Sequence, residues 1–158
     1  MSSFTHLDES LQPQMVDVTE KVVTRRSATA RALVQLTPEI MGQFDGRELQ
    51  GKKGPVFHTA ILAGIQAAKK TSDLIPLCHP LPLTKCSITI KPRENAEVEV
   101  TATTVTDAKT GVEMEALTAA SIAALTLYDM CKALSKGIVI REIKLLEKTG
   151  GKSGNYKA

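Results

Sequence analysis

The chain has 158 residues, 42% of them hydrophobic and 3% aromatic, with no Trp, so residues 1–158 read as one domain whose core is built from Ala, Val, Leu and Ile. Twenty Lys and Arg against seventeen Asp and Glu leave a net charge of +3, too weak a bias for a dedicated nucleic-acid binder. Cys78, Cys86 and Cys131 lack the paired spacing of a disulfide or zinc framework, and no stretch approaches the roughly eighteen apolar residues of a membrane span; a cytoplasmic protein with free thiols and no membrane partner is expected.

Residues 1–15 are polar and aperiodic and predict a flexible arm. From Lys21 to Arg31 the chain carries Lys21, Arg25, Arg26 and Arg31 against no acid, and from Lys148 to the end it again carries lysines and no carboxylate, so two basic segments are available to converge on one anion. The short apolar run from Arg31 to Leu36 predicts a strand, and Thr37-Pro38 the start of a short helix reaching Phe44. Asp45-Gly46 follows as a turn.

Val56 to Ser72 has helical length, and Ala60, Ala63, Gly64, Ala67 and Ala68 give it a surface that another element can approach closely. The segment from Leu74 to Pro82 holds Pro76, Pro80 and Pro82, which restrict their preceding residues to extended backbone and make a stiff loop. Two β-rich runs, Leu83 to Lys91 and Ala96 to Thr106, predict a hairpin turning at 92–95. Gly111 to Lys136 predicts the longest helix, apolar nearly all round in its middle and so buried on more than one side. Ile138 to Leu146 closes as a strand, followed by a basic glycine-rich tail over 148–158.

The order β-α-β-β-α-β is the ferredoxin-like arrangement: an α+β fold with an antiparallel sheet and two main helices on one face. The uncovered sheet face and the spare side of the long helix predict self-association.

Several residues in this frame have chemistry to offer. The stiff loop holds His79 beside Cys78, either presenting a donor to a substrate or capping a backbone carbonyl within a tight turn. Glu113, Met114 and Glu115 open the long helix, where the helix dipole alone favours carboxylates. Asp129 and Lys132, three apart, share a helix face, as a surface ion pair or as a base and an acid held together. The sixteen residues from Glu113 to Asp129 span about 24 Å at ~1.5 Å per residue, too far for both ends to touch one small ligand within one chain. If both ends act, the arrangement predicted is two copies of this helix packed antiparallel across a subunit boundary, with one subunit's glutamates near the other's Asp129 and Lys132. The tail resembles a phosphate loop only superficially, because Leu146 stands where that motif needs Gly.

The strings LIPLCHPLPL, GVEMEALTAASIAALTLYDMCKA and KTGGKSG, extended by MVDVTEK and AGIQAAKKTSDLIPLCHPL, strongly resemble the cyclic pyranopterin monophosphate synthases, the molybdenum cofactor biosynthesis protein C family, over nearly the whole chain. Thr149 stands where that family usually has Ser, and His58 is an unusual residue within the first long helix. The resemblance implies conversion of 3′,8-cyclo-7,8-dihydroguanosine 5′-triphosphate into cyclic pyranopterin monophosphate and diphosphate. It makes Asp129 the catalytic acid/base and Lys132 its partner. Substrate-binding roles fall to Leu77, Cys78, His79, Glu113, Met114 and Glu115, with Lys53, Lys69, Lys148 and Lys152 near the triphosphate or the reacting ring. It further implies a homohexamer built as a trimer of dimers with sites at subunit boundaries. No cofactor is expected to be required, and whether magnesium accompanies the triphosphate stays open.

Three other readings compete. An RNA-binding ferredoxin-like domain normally carries stacking aromatics on its central strands, and these strands carry none. A regulatory module would hold an effector with the same lysines. A metal site from Cys78, His79 and Cys86 is the weakest, since adjacent residues rarely aim at one ion.

Overall fold

The computed structural model describes residues 6–158. Its main sheet holds β1 (Thr24–Gln35), β4 (Leu83–Pro92), β5 (Glu97–Ala108), β6 (Val139–Thr149) and β7 (Tyr156–Lys157) in the order β4-β5-β1-β6-β7. Every pairing is antiparallel, as the ferredoxin-like order requires. The long helices α2 (Val56–Ala68) and α4 (Glu113–Cys131) pack against one another and cover one sheet face. Two single-turn helices, α1 (Pro38–Met41) and α3 (Thr71–Leu74), and a small hairpin, β2 (Gln50–Gly51) with β3 (Gly54–Pro55), complete the chain. No helix among the described residues is long and apolar enough to cross a membrane.

Cross-strand register explains the layer. Ala28, Ala30, Ala32 and Val34 pair with Thr104, Ala102, Val100 and Val98, and all eight are fully buried under the helices. The alternate positions, Thr29 with Thr103 and Arg31 with Thr101, lie on the opposite face, where Arg31 also bonds Glu142 at 2.6 Å. Alanine contributes little apolar area per residue, so the core depends on close approach. A Cβ added to Gly64 would stand 2.8 Å from the Ala119 carbonyl oxygen, with the Ile88 side chain closer still. Gly64 is thus a point of close approach between α2 and α4, on the small-residue surface predicted from the sequence.

Several boundaries differ from expectation. The first strand begins at Thr24, seven residues before Arg31, because Ala28 and Ala30 alternate correctly but alanine carries little strand preference. The first long helix stops at Ala68, where the Thr71 hydroxyl donates to the Ala68 carbonyl at 3.0 Å and a separate turn starts. The long helix runs Glu113–Cys131, ending short of Lys136. The hairpin at Gln50–Pro55 is an element the sequence reading lacked. Of the expected arm, residues 1–5 lie outside the described residues, and Leu7 bridges Pro13 across a turn built on Asp8. The tail is more ordered than its composition predicts: β6 extends to Thr149, the chain reverses through Gly150 and Gly151 at φ +91 and +83, and Tyr156 pairs with Lys148.

Candidate functional site

The stiff proline loop and the start of α4 are both pinned to β5 by buried hydroxyls. Thr106 donates to the Pro82 carbonyl at 2.6 Å, and Thr104 donates to the Val112 carbonyl at 3.0 Å. These two bonds hold the proline loop and the start of α4 to one strand, and both border a recess of about 310 Å³ lined by Leu77, Cys78, His79, Leu81, Glu113, Met114 and Glu115. A second cleft of about 590 Å³ shares Thr110, Gly111 and Glu113 with it and continues past Lys21, Arg26, Lys109, Lys148 and Lys152. Lys148 is fixed inside, donating to Glu113 at 2.8 Å and to the Ser153 hydroxyl at 3.0 Å. The two basic segments singled out in the sequence therefore meet: Lys21 and Arg26 face Lys148 and Lys152 across one opening.

Chemical state follows from surroundings. Glu115 is 4% exposed, and burial, reinforced by the nearby charge of Glu113, raises its carboxyl from 4.5 to about 7. It is a carboxyl able to give or take a proton near neutrality. Burial, then the Glu115 charge, also pushes the Cys78 thiol up, which favours the neutral thiol over a thiolate. His79 donates from Nε2 to the Val16 carbonyl at 2.8 Å, which assigns the ring proton to that nitrogen and ties the loop to the segment before β1. Lys109 makes a similar tie, donating to the Thr19 carbonyl at 2.7 Å.

Arg26 and Lys109 are cleft residues that the site prediction omitted. In the sequence Arg26 is only one member of a basic run. In the fold its guanidinium lies against Gly150 and Gly151, reaches the Lys109 carbonyl at 3.4 Å, and leaves Nε buried without a protein partner. A side chain at Gly151 would collide with that guanidinium, so glycine there is what lets the tail close on Arg26. Two basic residues in succession on β1 were the available signal.

At the other end of α4, Asp129 accepts from Lys132 at 2.7 Å and from Lys53 at 3.1 Å. All three are about half exposed. The Lys132 and Lys53 hydrogen bonds hold the Asp129 carboxyl below its ordinary range, and Asp129 in turn raises Lys132. Within one chain the couple is thus drawn apart from neutrality, the reverse of the convergence that burial would bring. Lys69 joins neither group; it stands at the end of α2 near Cys86. Among the described residues, no three His, Cys, Asp or Glu side chains gather as a metal cluster.

α4 is one unbroken helix, so Glu113 and Asp129 stand about 24 Å apart along it. Fold and site together define a ferredoxin-like α+β protein with a basic cleft, sized for a small polyanion, at the start of its longest helix. Residues 15–151 match the model of the MoaC family, nearly the whole chain, and the chain belongs to that family. Its role lies in molybdenum cofactor biosynthesis, acting on a nucleotide-derived substrate.

Proposed function

We propose that the chain is a cyclic pyranopterin monophosphate synthase, converting 3′,8-cyclo-7,8-dihydroguanosine 5′-triphosphate into cyclic pyranopterin monophosphate and diphosphate. The observation that carries this reading is the convergence of Leu77–His79, Glu113–Glu115 and Lys148 with Lys152 on two joined clefts in a MoaC-family chain.

Forming a cyclic monophosphate from a triphosphate requires a substrate hydroxyl to take the α-phosphorus while the β,γ-diphosphate departs. The charge developing on that leaving group is met by Arg26, Lys109, Lys148 and Lys152, cations already in place. Ring opening and reclosure need protons moved, for which the buried Glu115 and the Asp129–Lys132 couple are the available groups. Asp129 acts as acid/base with Lys132 as its partner, and Lys53 belongs with them; Lys69 has the weakest claim on a substrate role. With lysines supplying the charge, the chain needs no resident cofactor, and magnesium enters only as the triphosphate's counterion; protein treated with chelator, freed of it and assayed with magnesium alone should keep full turnover.

One chain cannot bring Asp129 to the cleft at Glu113, so the working site joins two copies with α4 helices antiparallel, within a hexamer arranged as a trimer of dimers. Leu62 and Leu125, 68% and 54% exposed on α2 and α4, favour such a covering. A neighbour's cover would also desolvate Asp129 and Lys132 and draw both toward neutrality. The free thiols of Cys78, Cys86 and Cys131 suit a reducing cytoplasm.

Incubation with the cyclised nucleotide should release diphosphate and a cyclic monophosphate. Binding without diphosphate release would make the chain a sensor and overturn the reading. Mixed oligomers of Glu115→Gln and Asp129→Asn chains should regain part of the activity that each lacks alone; mixtures as inactive as their parents would refute the shared site.

A further inference from the structure

Glu48 is a buried carboxylate outside both clefts, 5% exposed, just before the β2–β3 hairpin. It accepts from the backbone N–H of Leu49 and of Phe57, each at 2.7 Å, from that of His58 at 3.0 Å, and from the His58 ring at Nδ1. Those donors lie on both sides of the hairpin: Leu49 precedes it, and Phe57 and His58 follow it.

Phe57 and His58 are the second and third residues of α2, whose own capping residue, Pro55, has no side-chain acceptor. Glu48 therefore performs from a distance the capping that Ser or Asp would perform locally, with its charge at the positive end of the helix. Burial opposes ionisation, but the bonds from Phe57, the His58 backbone and ring, and Leu49 prevail and hold the carboxyl below its usual range. Asp45 fixes the approach by accepting from the Glu48 N–H at 2.7 Å.

The hairpin itself is slight. Gln50 pairs with Pro55, Gly51 pairs with Gly54, and Val56 donates to the Leu49 carbonyl at 2.9 Å. Lys53 rides on its turn, and among the described residues its 3.1 Å bond to Asp129 is the hydrogen bond joining hairpin to α4. An exposed pair of this kind does not hold a loop in place by itself. The place of the Lys53 amine is decided at the hairpin's base, where Glu48 grips both feet.

We propose that Glu48 is a positioning residue: by clamping Leu49 to the start of α2 it sets Lys53 against Asp129 and so tunes the Asp129–Lys132 couple. The consequence for turnover rests on the functional reading above, whereas the geometric claim does not, and two readouts separate them.

The first is the midpoint of the Asp129 carboxyl, followed by ¹³C NMR in the full chain labelled at aspartate and assigned with Asp129→Asn. Lys53 lowers Asp129, so Lys53→Ala should raise the midpoint. Glu48→Gln should raise it to a similar value, and the double variant no further than Lys53→Ala alone. An unmoved midpoint in a cooperatively melting Glu48→Gln, or a further rise in the double variant, would overturn the proposal. If Glu48→Gln does not fold, His58→Ala removes one of its donors from a side chain that is 75% exposed. A smaller rise in the same direction supports the clamp, and none overturns it.

The second readout is kinetic. Glu48→Gln should lower kcat on the order of tenfold with KM nearly unchanged, and should have no added effect in a Lys53→Ala background. Wild-type turnover in Lys53→Ala would remove Lys53 from the reaction and with it the kinetic consequence of the clamp, while the titration still decides whether Glu48 places the Lys53 amine.

Discussion

Replacing Glu115 by Gln should stabilise the protein at neutral and alkaline pH and abolish its activity. The raised carboxyl is the reason. Moving a glutamate from 4.5 to about 7 makes its ionised form cost the fold roughly 3 kcal/mol, at about 1.36 kcal/mol per pH unit. Below pH 4.5 the carboxyl is protonated in folded and unfolded chains alike, and no cost arises. Between 4.5 and about 7 the unfolded chain ionises while the folded chain stays protonated, so wild-type stability falls as pH rises. Above about 7 the full cost is present. Gln is neutral throughout and nearly isosteric, so the melting-temperature gap between variant and wild type should open across that window and level off beyond it. For a chain of this size the plateau corresponds to about 6–12 °C, at ~2–4 °C per kcal/mol. Thermal unfolding at pH 4, 5, 6, 7 and 8, at one fixed protein concentration because assembly contributes to stability, measures it directly. A gap that is constant with pH, or that shrinks toward pH 8, would refute the assignment of a buried, proton-holding Glu115.

Other substitutions probe the rest of the argument. Asp129→Asn and Lys132→Ala should each remove turnover while leaving the circular dichroism spectrum and melting temperature of the isolated chain unchanged, since both side chains are exposed there. Arg26→Ala should raise KM for the triphosphate about tenfold and weaken its salt dependence, because a half-buried guanidinium in a basic cleft, bonded among the described residues only to the Lys109 carbonyl at 3.4 Å, keeps donors to spare for a phosphate. Gly64→Ala should cost roughly 1–3 kcal/mol by denaturant unfolding, as its methyl would press on the Ala119 carbonyl oxygen and the Ile88 side chain.

The sequence by itself determined the fold class, since two helical periods and four β-rich runs in that order leave few antiparallel arrangements. It also marked the loop at Leu77–His79, the opening of the long helix at Glu113–Glu115 and the two basic segments, because proline stiffness, helix ends and charge runs are local properties. Alanine-rich elements carry a weaker local signal: in the first half of β1, Ala28 and Ala30 reveal their burial only once Ala102 and Thr104 lie opposite. Tertiary structure alone decided which candidates meet. It brought Lys148 to Glu113, Arg26 under the tail glycines and Glu48 to the start of α2, and it left Lys69 apart. It also decided protonation, raising Glu115 and lowering Asp129, carboxyls fourteen residues apart on one helix. Lys132 and Glu113 act on these carboxyls from the same helix, but the burial of Glu115 and the Lys53 bond to Asp129 come from chain segments remote in sequence.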